Sequence, residues 1–391
     1  MRINGKRLYN HIKTLGGIGY EPELGTTRMA YSETFHEGRD YVKHLMEQAG
    51  MQTMIDGVGN LTGRIGGKSK QIISIGSHID TVPNGGMFDG ALGVLAGIEA
   101  IQTLRENGYQ NHYSMEVIAF TEEEGNVIGG TFGSKAFAGV DQEEDVMRKI
   151  SFYGMDSRSI QSSKRSSEDY KCYLELHIEQ GGVLEANQIP IGVVEGIFGI
   201  ARYKVTVCGK SNHAGSTPMN LREDALVKAS QMILRMIDIC KGVNSSMTCT
   251  VGKLSVEPGV VNVIPGMVEF CVELRCLDMG DIQKAVDKFM DEFCSDRVSI
   301  ERFLWQRETE MDSQLKNLLG LCCQEQKIPY IEMPSGAGHD SINMALFTPT
   351  AMLFIPSVDG ISHSILEKSE PEDMERGTNL LLEMILKLEK L

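Results

Sequence analysis

Residues 71–93 read QIISIGSHIDTVPNGGMFDGALG. QIISIGS (71–77) is a short apolar run closing in small residues, the pattern of a strand buried on both faces. A loop rich in glycine follows, with His78, Asp80 and Asp89 along it. From Ala91 the apolar residues Leu92, Leu95, Ile98 and Leu104 mark a helix, which Asn107-Gly108 ends. Strand, loop and helix in this order predict an α/β architecture, with chemistry expected just beyond the C-terminal ends of the strands.

The same rhythm extends in both directions. A helix is expected over 36–49, and MEVIAF (115–120) is a second buried strand followed by TEEEGN. YLELHIEQ (173–180) precedes Gly181-Gly182; later come a helix over 312–325, a strand near 330–333, the loop PSGAGHD (334–340), the strand AMLFI (351–355) and a helix over 372–389. The Ser-rich stretch 155–170 reads as a surface excursion. Residues 197–304 differ in style. IARYKVTVC, SMTCTVGKL, MVEFCVELRC and VSIERFL alternate as strands, and helices over 222–241 and within DIQKAVDKFMDEFC separate them. The order β-α-β-β-α-β predicts a ferredoxin-like α+β domain. It is expected as an insertion (197–304) in a discontinuous α/β domain of residues 1–196 and 305–391 built on a central mixed sheet.

The 391 residues carry 38 Lys and Arg against 53 Asp and Glu, a net charge of −15. That balance argues against nonspecific binding to nucleic acid or an anionic membrane. No stretch of 18 apolar residues could span a bilayer, and MRINGKRLYNHIKTLGG lacks the apolar core of a secretion signal. The nine cysteines include no CxxC, and Cys172, Cys208 and Cys271 lie in apolar or alternating runs, as core residues of a reducing cytoplasm would. PNGGMFDG has neither phosphate-loop nor dinucleotide spacing.

Only nine histidines occur, and their placement is informative. His78 and His177 follow apolar strands directly, His363 lies shortly after AMLFI, and Glu122-Glu123-Glu124 follow MEVIAF. Taken alone, the three glutamates could equally be a solvated face or a helix start. Together these strand ends bring imidazole and carboxylate to one edge of a sheet, a mixture that suits zinc and similar metals.

GSHIDTVPNGGMFDGALGVLAG (76–97), AFTEEEGN (119–126), LHIEQGGVLE (176–185), GKSNHAGSTPM (209–219), NVIPG (262–266), PSGAGHD and GISHS (360–364) resemble the M20 metallopeptidase clan. Within it they look like the amidase/hydantoinase/carbamoylase branch, and the likeness runs from about residue 20 to the C-terminus. The resemblance implies a hydrolase with two divalent ions (Zn, Mn, Co or Ni). His78 and His177 would hold one, Asp89 would bridge, and Glu124 and His363 would complete the second site. Glu123 would be the general base, and the Asp80 carboxylate would orient the His78 ring.

It also implies that the inserted domain is a lid and the interface of a homodimer. His213 would contact the scissile carbonyl oxygen, while Asn262 and Arg275 would hold the substrate's carboxylate. Gln180 would bond the ureido end, and Gly336 and Ala337 would offer backbone groups. His339 would either reach substrate or brace its loop, and Arg28 would lie near the pocket. The implied reaction is hydrolysis of N-carbamoyl-L-amino acids to amino acid, ammonia and carbon dioxide. Allantoate hydrolysis is the alternative, followed by peptide hydrolysis or a non-catalytic binding role. Two departures stand out: Val127 and Ile128 replace an Arg and an aromatic, expected to alter the pocket, and Ser341 replaces a commoner alanine, a minor change.

Overall fold

The computed structural model describes residues 1–142 and 144–391, which form two compact units, Met1–Glu195 with Glu310–Leu391, and Gly196–Thr309. Elements of the first unit are β1 (Gln52–Ile55), β2 (Leu61–Ile65), β3 (Ile72–His78), β4 (Ser114–Phe120), β5 (Tyr170–Ile178) and β6 (Ile191–Ile197). The second unit supplies β7 (Gly199–Cys208), β8 (Thr248–Glu257), β9 (Met267–Cys276) and β10 (Val298–Gln306). The chain then forms β11 (Thr309–Glu310), β12 (Tyr330–Ser335) and β13 (Thr350–Ile355).

The large sheet runs β11-β6-β13-β5-β3-β4-β2-β1, with β12 beside β6. It is mixed: β13, β5, β3 and β4 are parallel, whereas β1 pairs antiparallel with β2, β2 with β4 and β6 with β13. The four parallel strands are buried almost throughout, because helices cover both faces. Helices Gly5–Gly17, Ala91–Glu106 and Pro371–Leu388 pack together, joining Ile73, Ile75, Val117, Leu174 and Leu353 in one core. Phe120, Phe137, Tyr170, Tyr173, Met344 and Phe347 form a second apolar cluster. Parallel strands end on the same side, so the loops after His78, Phe120, Ile178 and Ile355 converge.

In the second unit the antiparallel sheet has the order β8-β9-β7-β10. Helices Ala225–Val243 and Met279–Phe293 pack against it through Ala201, Tyr203, Val205, Phe270, Val272 and Leu274, which alternate with more exposed neighbours. The first helix begins at Ala225 rather than 222 because Asp224 caps it, accepting the N–H groups of Leu226 and Val227.

The stretch 155–170 is more than a surface excursion. Asp156 and Ser159 close a capping box on a helix over Ser157–Ser163, and buried Ser163 accepts the Val58 N–H at 3.1 Å. Cys172 is buried as expected, but Cys208 is exposed at the end of its strand and Cys271 is half-buried. Where the first unit is interrupted, Met311 donates its N–H to the Glu195 carbonyl at 3.0 Å. No helix among the described residues is long and apolar enough to cross a membrane.

Candidate di-metal site

His78 is the last residue of β3, so a wholly buried strand fixes its backbone. Its Nδ1 faces the Asp80 main-chain carbonyl at 3.0 Å, and that of His177 faces the Ile178 carbonyl at 2.9 Å. With Nδ1 donating, each ring keeps a lone pair on Nε2. Both Nε2 atoms point at Asp89 Oδ1, from 3.6 Å for His78 and 3.2 Å for His177. The other oxygen, Oδ2, lies 3.1 Å from His363 Nε2, which is itself 3.6 Å from Glu124 Oε2. The turn that presents Asp89 requires glycine at position 90: its φ is +63°, and a Cβ there would lie 2.4 Å from the His78 ring.

Two groups of donors therefore share Asp89, namely His78/Asp89/His177 and Asp89/Glu124/His363, each with its ligand atoms within 4.8 Å of one another. Glu123 Oε2 lies 3.6 Å from His78 Nε2. Burial pushes the Glu123 carboxyl well above its ordinary range; nearby Asp340 and Glu124 add to this against the pull of His78. Burial and then Asp89 push Glu124 up to about 7. Burial also acts to raise Asp89, yet the imidazoles of His177, His363 and His78 around it hold it well below the usual carboxylate range. The bond to Asp89 carries His363 up to about 9. Buried Asp80 Oδ1 and Glu124 Oε1 have no hydrogen-bond partner. Crowded buried carboxylates beside imidazoles whose lone pairs face inwards suit divalent cations, which would offset that charge.

The remaining expected residues divide by position. Asp80 is buried beside His78, but its carboxylate stands 3.8 Å from Nδ1 and instead accepts the Glu124 N–H at 3.1 Å. Gln180 donates Nε2 to Asp89 Oδ2 at 2.6 Å, leaving its buried Oε1 without a partner. His339 is buried, bonds Ser335 Oγ at 2.9 Å and meets the His177 ring edge-on at 4.5 Å. Burial, with His177 alongside, lowers its pKa far below normal and keeps the ring neutral. Ala337 is tied within its loop, its N–H and carbonyl both bonded to Ser335 Oγ, while Gly336 is exposed.

His213, Asn262 and Arg275 belong to the second unit. The first two are brought together there, with Ala214 N–H bonding the Asn262 carbonyl at 3.0 Å. His213 is exposed, and its Nδ1 accepts the N–H groups of Gly215 and Ser216 at 3.0 and 3.1 Å, so a neutral ring carries its proton on Nε2. Arg275 donates Nε to Glu273 at 2.7 Å.

Arg28, expected near the pocket, is wholly buried and donates to the carbonyls of Leu15, Ile18 and Ile79, bracing the chain beside His78. Two expectations change. Ile128 turns into a small apolar core with Val58, Phe132 and Ile150, because Glu122 accepts the N–H groups of Val127, Ile128 and Gly129 and curls the loop inwards. Ser341 is no minor change, since it donates to buried Glu175. Glu175 and Glu367, which no motif in the sequence singles out, are buried acceptors, and so is Glu122, legible only as part of the run of three glutamates. The only signal for Glu367 was its place four residues after His363.

The sequence matches the model of peptidase family M20/M25/M40 over residues 74–387. It is 36% identical to the N-carbamoyl-L-amino acid amidohydrolase of Geobacillus stearothermophilus, across 99% of both chains. It is also 36% identical to the allantoate amidohydrolase of Escherichia coli (strain K12), across 96% of this chain and 95% of that one. The solved structure of a hydantoinase/carbamoylase-family amidase from Burkholderia multivorans matches with a TM-score of 0.90 at 32% identity, covering 99% of this chain and 98% of the other.

Proposed function

Because the chain belongs to peptidase family M20/M25/M40, in its hydantoinase/carbamoylase branch, we propose that this metal-dependent hydrolase cleaves the carbamoyl C–N bond of N-carbamoyl-L-amino acids. The products would be the amino acid, ammonia and carbon dioxide. The observation that carries the reading is the pair of donor groups sharing Asp89, with Glu123 beside them. His78, His177 and Asp89 Oδ1 would hold one cation, and Glu124, His363 and Asp89 Oδ2 the other. Bound cations (Zn, Mn, Co or Ni) would supply Lewis acidity towards the ureido carbonyl and acidify water.

Glu123 is the residue to take the proton from attacking water and to return it to the departing nitrogen. His213, with its proton on Nε2, would donate to the carbonyl oxygen as negative charge develops there. Asn262 and the planar fork of Arg275 would clamp the substrate's carboxylate. The unpartnered Oε1 of Gln180 would accept from the carbamoyl amide, and Gly336 and Ala337 would border it. His339 holds His177 and its own loop in place.

Residues 1–196 and 305–391 would be the catalytic domain. Residues 197–304 would be a ferredoxin-like domain, a reading supported by the β-α-β-β-α-β order of its elements, and would serve as the lid that pairs two chains in a cytoplasmic homodimer.

Allantoate is the second reading, favoured by the equal identity to the Escherichia coli allantoate amidohydrolase. Both substrates are ureido acids and suit the same clamp. The test is ammonia release from N-carbamoyl-L-amino acids, β-ureidopropionate and allantoate with Mn, Zn, Co or Ni added. Rapid cleavage of dipeptides with none from the ureido acids would overturn both readings.

A further inference from the structure

The carboxylate of Glu367 takes no part in the chemistry above, yet it joins two segments that bear ligands. Its Oε1 accepts the main-chain N–H of Phe88 at 2.9 Å and of Asp89 at 3.1 Å. Its Oε2 accepts the Ser362 hydroxyl at 2.8 Å and the His363 N–H at 3.3 Å. Ser362 Oγ also reaches Asp89 Oδ2 at 3.3 Å. The loop is shaped for this acid: a Cβ at Gly86 would lie 2.2 Å from Glu367 Oε1. A buried carboxylate is costly unless its lone pairs are filled, and donors from both segments fill them. An amide of the same size could not do so, because its NH₂ would face donors on one side.

We propose that Glu367 is a positioning residue that holds Asp89 and His363 in register and thereby sets the affinity for the second cation. This rests on reading the two donor groups as a di-metal site. His78 and His177 are buried at strand ends, whereas the His363 side chain is 49% exposed and depends on its loop. Loosening the clasp should therefore weaken the Glu124/His363 site more than the other.

The test titrates metal-stripped parent and Glu367→Gln with Zn²⁺ or Mn²⁺ alone by calorimetry, counting bound metal by mass spectrometry. The parent should bind two ions per chain. In Glu367→Gln the first should bind within about twofold of the parent and the second about tenfold more weakly or worse. At saturating metal, turnover should recover with KM unchanged, which general damage to the fold would not allow. Ser362→Ala should shift the second affinity in the same direction by about threefold, and it replaces Glu367→Gln as the deciding variant should that one not fold. Unchanged affinity for the second ion in the deciding variant overturns the proposal. A parent that binds no second ion overturns the di-metal reading, and the proposal with it, and is recognised because the failure appears in the unmutated chain.

Discussion

Ser341 donates its hydroxyl to Glu175 Oε2 across 2.6 Å, and its own N–H approaches the same oxygen at 3.2 Å. Ser77 fills the other oxygen at 2.8 Å. Glu175 sits two residues before His177 on the same buried strand, so these serines keep a carboxylate satisfied directly beneath a proposed ligand. Replacing Ser341 with Ala should lower stability by about 1–3 kcal/mol, as expected when a buried acceptor loses a donor. Urea denaturation measures this. Turnover at saturating metal should stay near that of the parent, because the ligands are untouched.

Glu123→Gln separates chemistry from metal binding. The amide keeps the size of the side chain but cannot take a proton. Metal content should remain that of the parent while kcat falls by roughly a hundredfold or more. Metal analysis beside an ammonia-release assay gives both numbers, and a parallel loss of metal would show that Glu123 is itself a ligand.

Removing metal should destabilise the folded chain. Asp89, Glu123 and Glu124 are packed close with little water to screen them. Each ion at about a hundredfold excess over its Kd would contribute about 2.7 kcal/mol. A chelator should therefore lower the Tm and abolish activity, and added Zn or Mn should restore both. Asp89→Asn should abolish most of the metal-dependent Tm shift, since Asp89 belongs to both donor groups.

Arg28→Met tests a brace outside the ligand set. The main-chain carbonyls of Ile18 and Ile79 would lose the Arg28 donor, while that of Leu15 would keep the Ile18 N–H. Each unsatisfied acceptor costs about 1–3 kcal/mol, so a total loss of several kcal/mol is expected by chemical denaturation. Arg28→Lys should recover only part, because an ammonium lacks the fork that spans these acceptors.

Arg275→Ala addresses recognition. If the guanidinium binds the substrate's carboxylate equally in ground and transition states, KM should rise roughly tenfold to a hundredfold while kcat stays close to that of the parent. Steady-state kinetics with one ureido acid and with its carboxamide analogue checks the assignment: the variant should discriminate less between the two.

The donor groups were legible because strand and loop periodicity locates strand ends. His78 and His177 follow largely apolar strands, and Glu123 and Glu124 come just after another. The buried acids were not. Glu175 and Glu367 look like ordinary charge in sequence, and only donors supplied from distant segments reveal them, while Glu122 is filled by N–H groups of its own loop. Loop direction was hidden too: nothing local to Val127 and Ile128 says that Glu122 will gather their N–H groups and turn Ile128 into a core. The helix Ser157–Ser163 is composed largely of serine, a weak helix former, and it owes its place to its cap and to Val58.

The bond from Met311 to Glu195 bears on how such a molecule could be reassembled. The chain leaves the first unit after Glu195 and re-enters at Glu310, so both ends of the interruption meet as the arms of a hairpin do. A tight turn could close that gap in place of the whole intervening segment. His78, Asp89, Glu123, Glu124, His177 and His363 all lie outside it. On the roles proposed for Asn262 and Arg275, substrate recognition would lie in one unit and the proposed cation ligands in the other, so a different insertion grafted at this junction should change which substrate is bound without altering one proposed ligand.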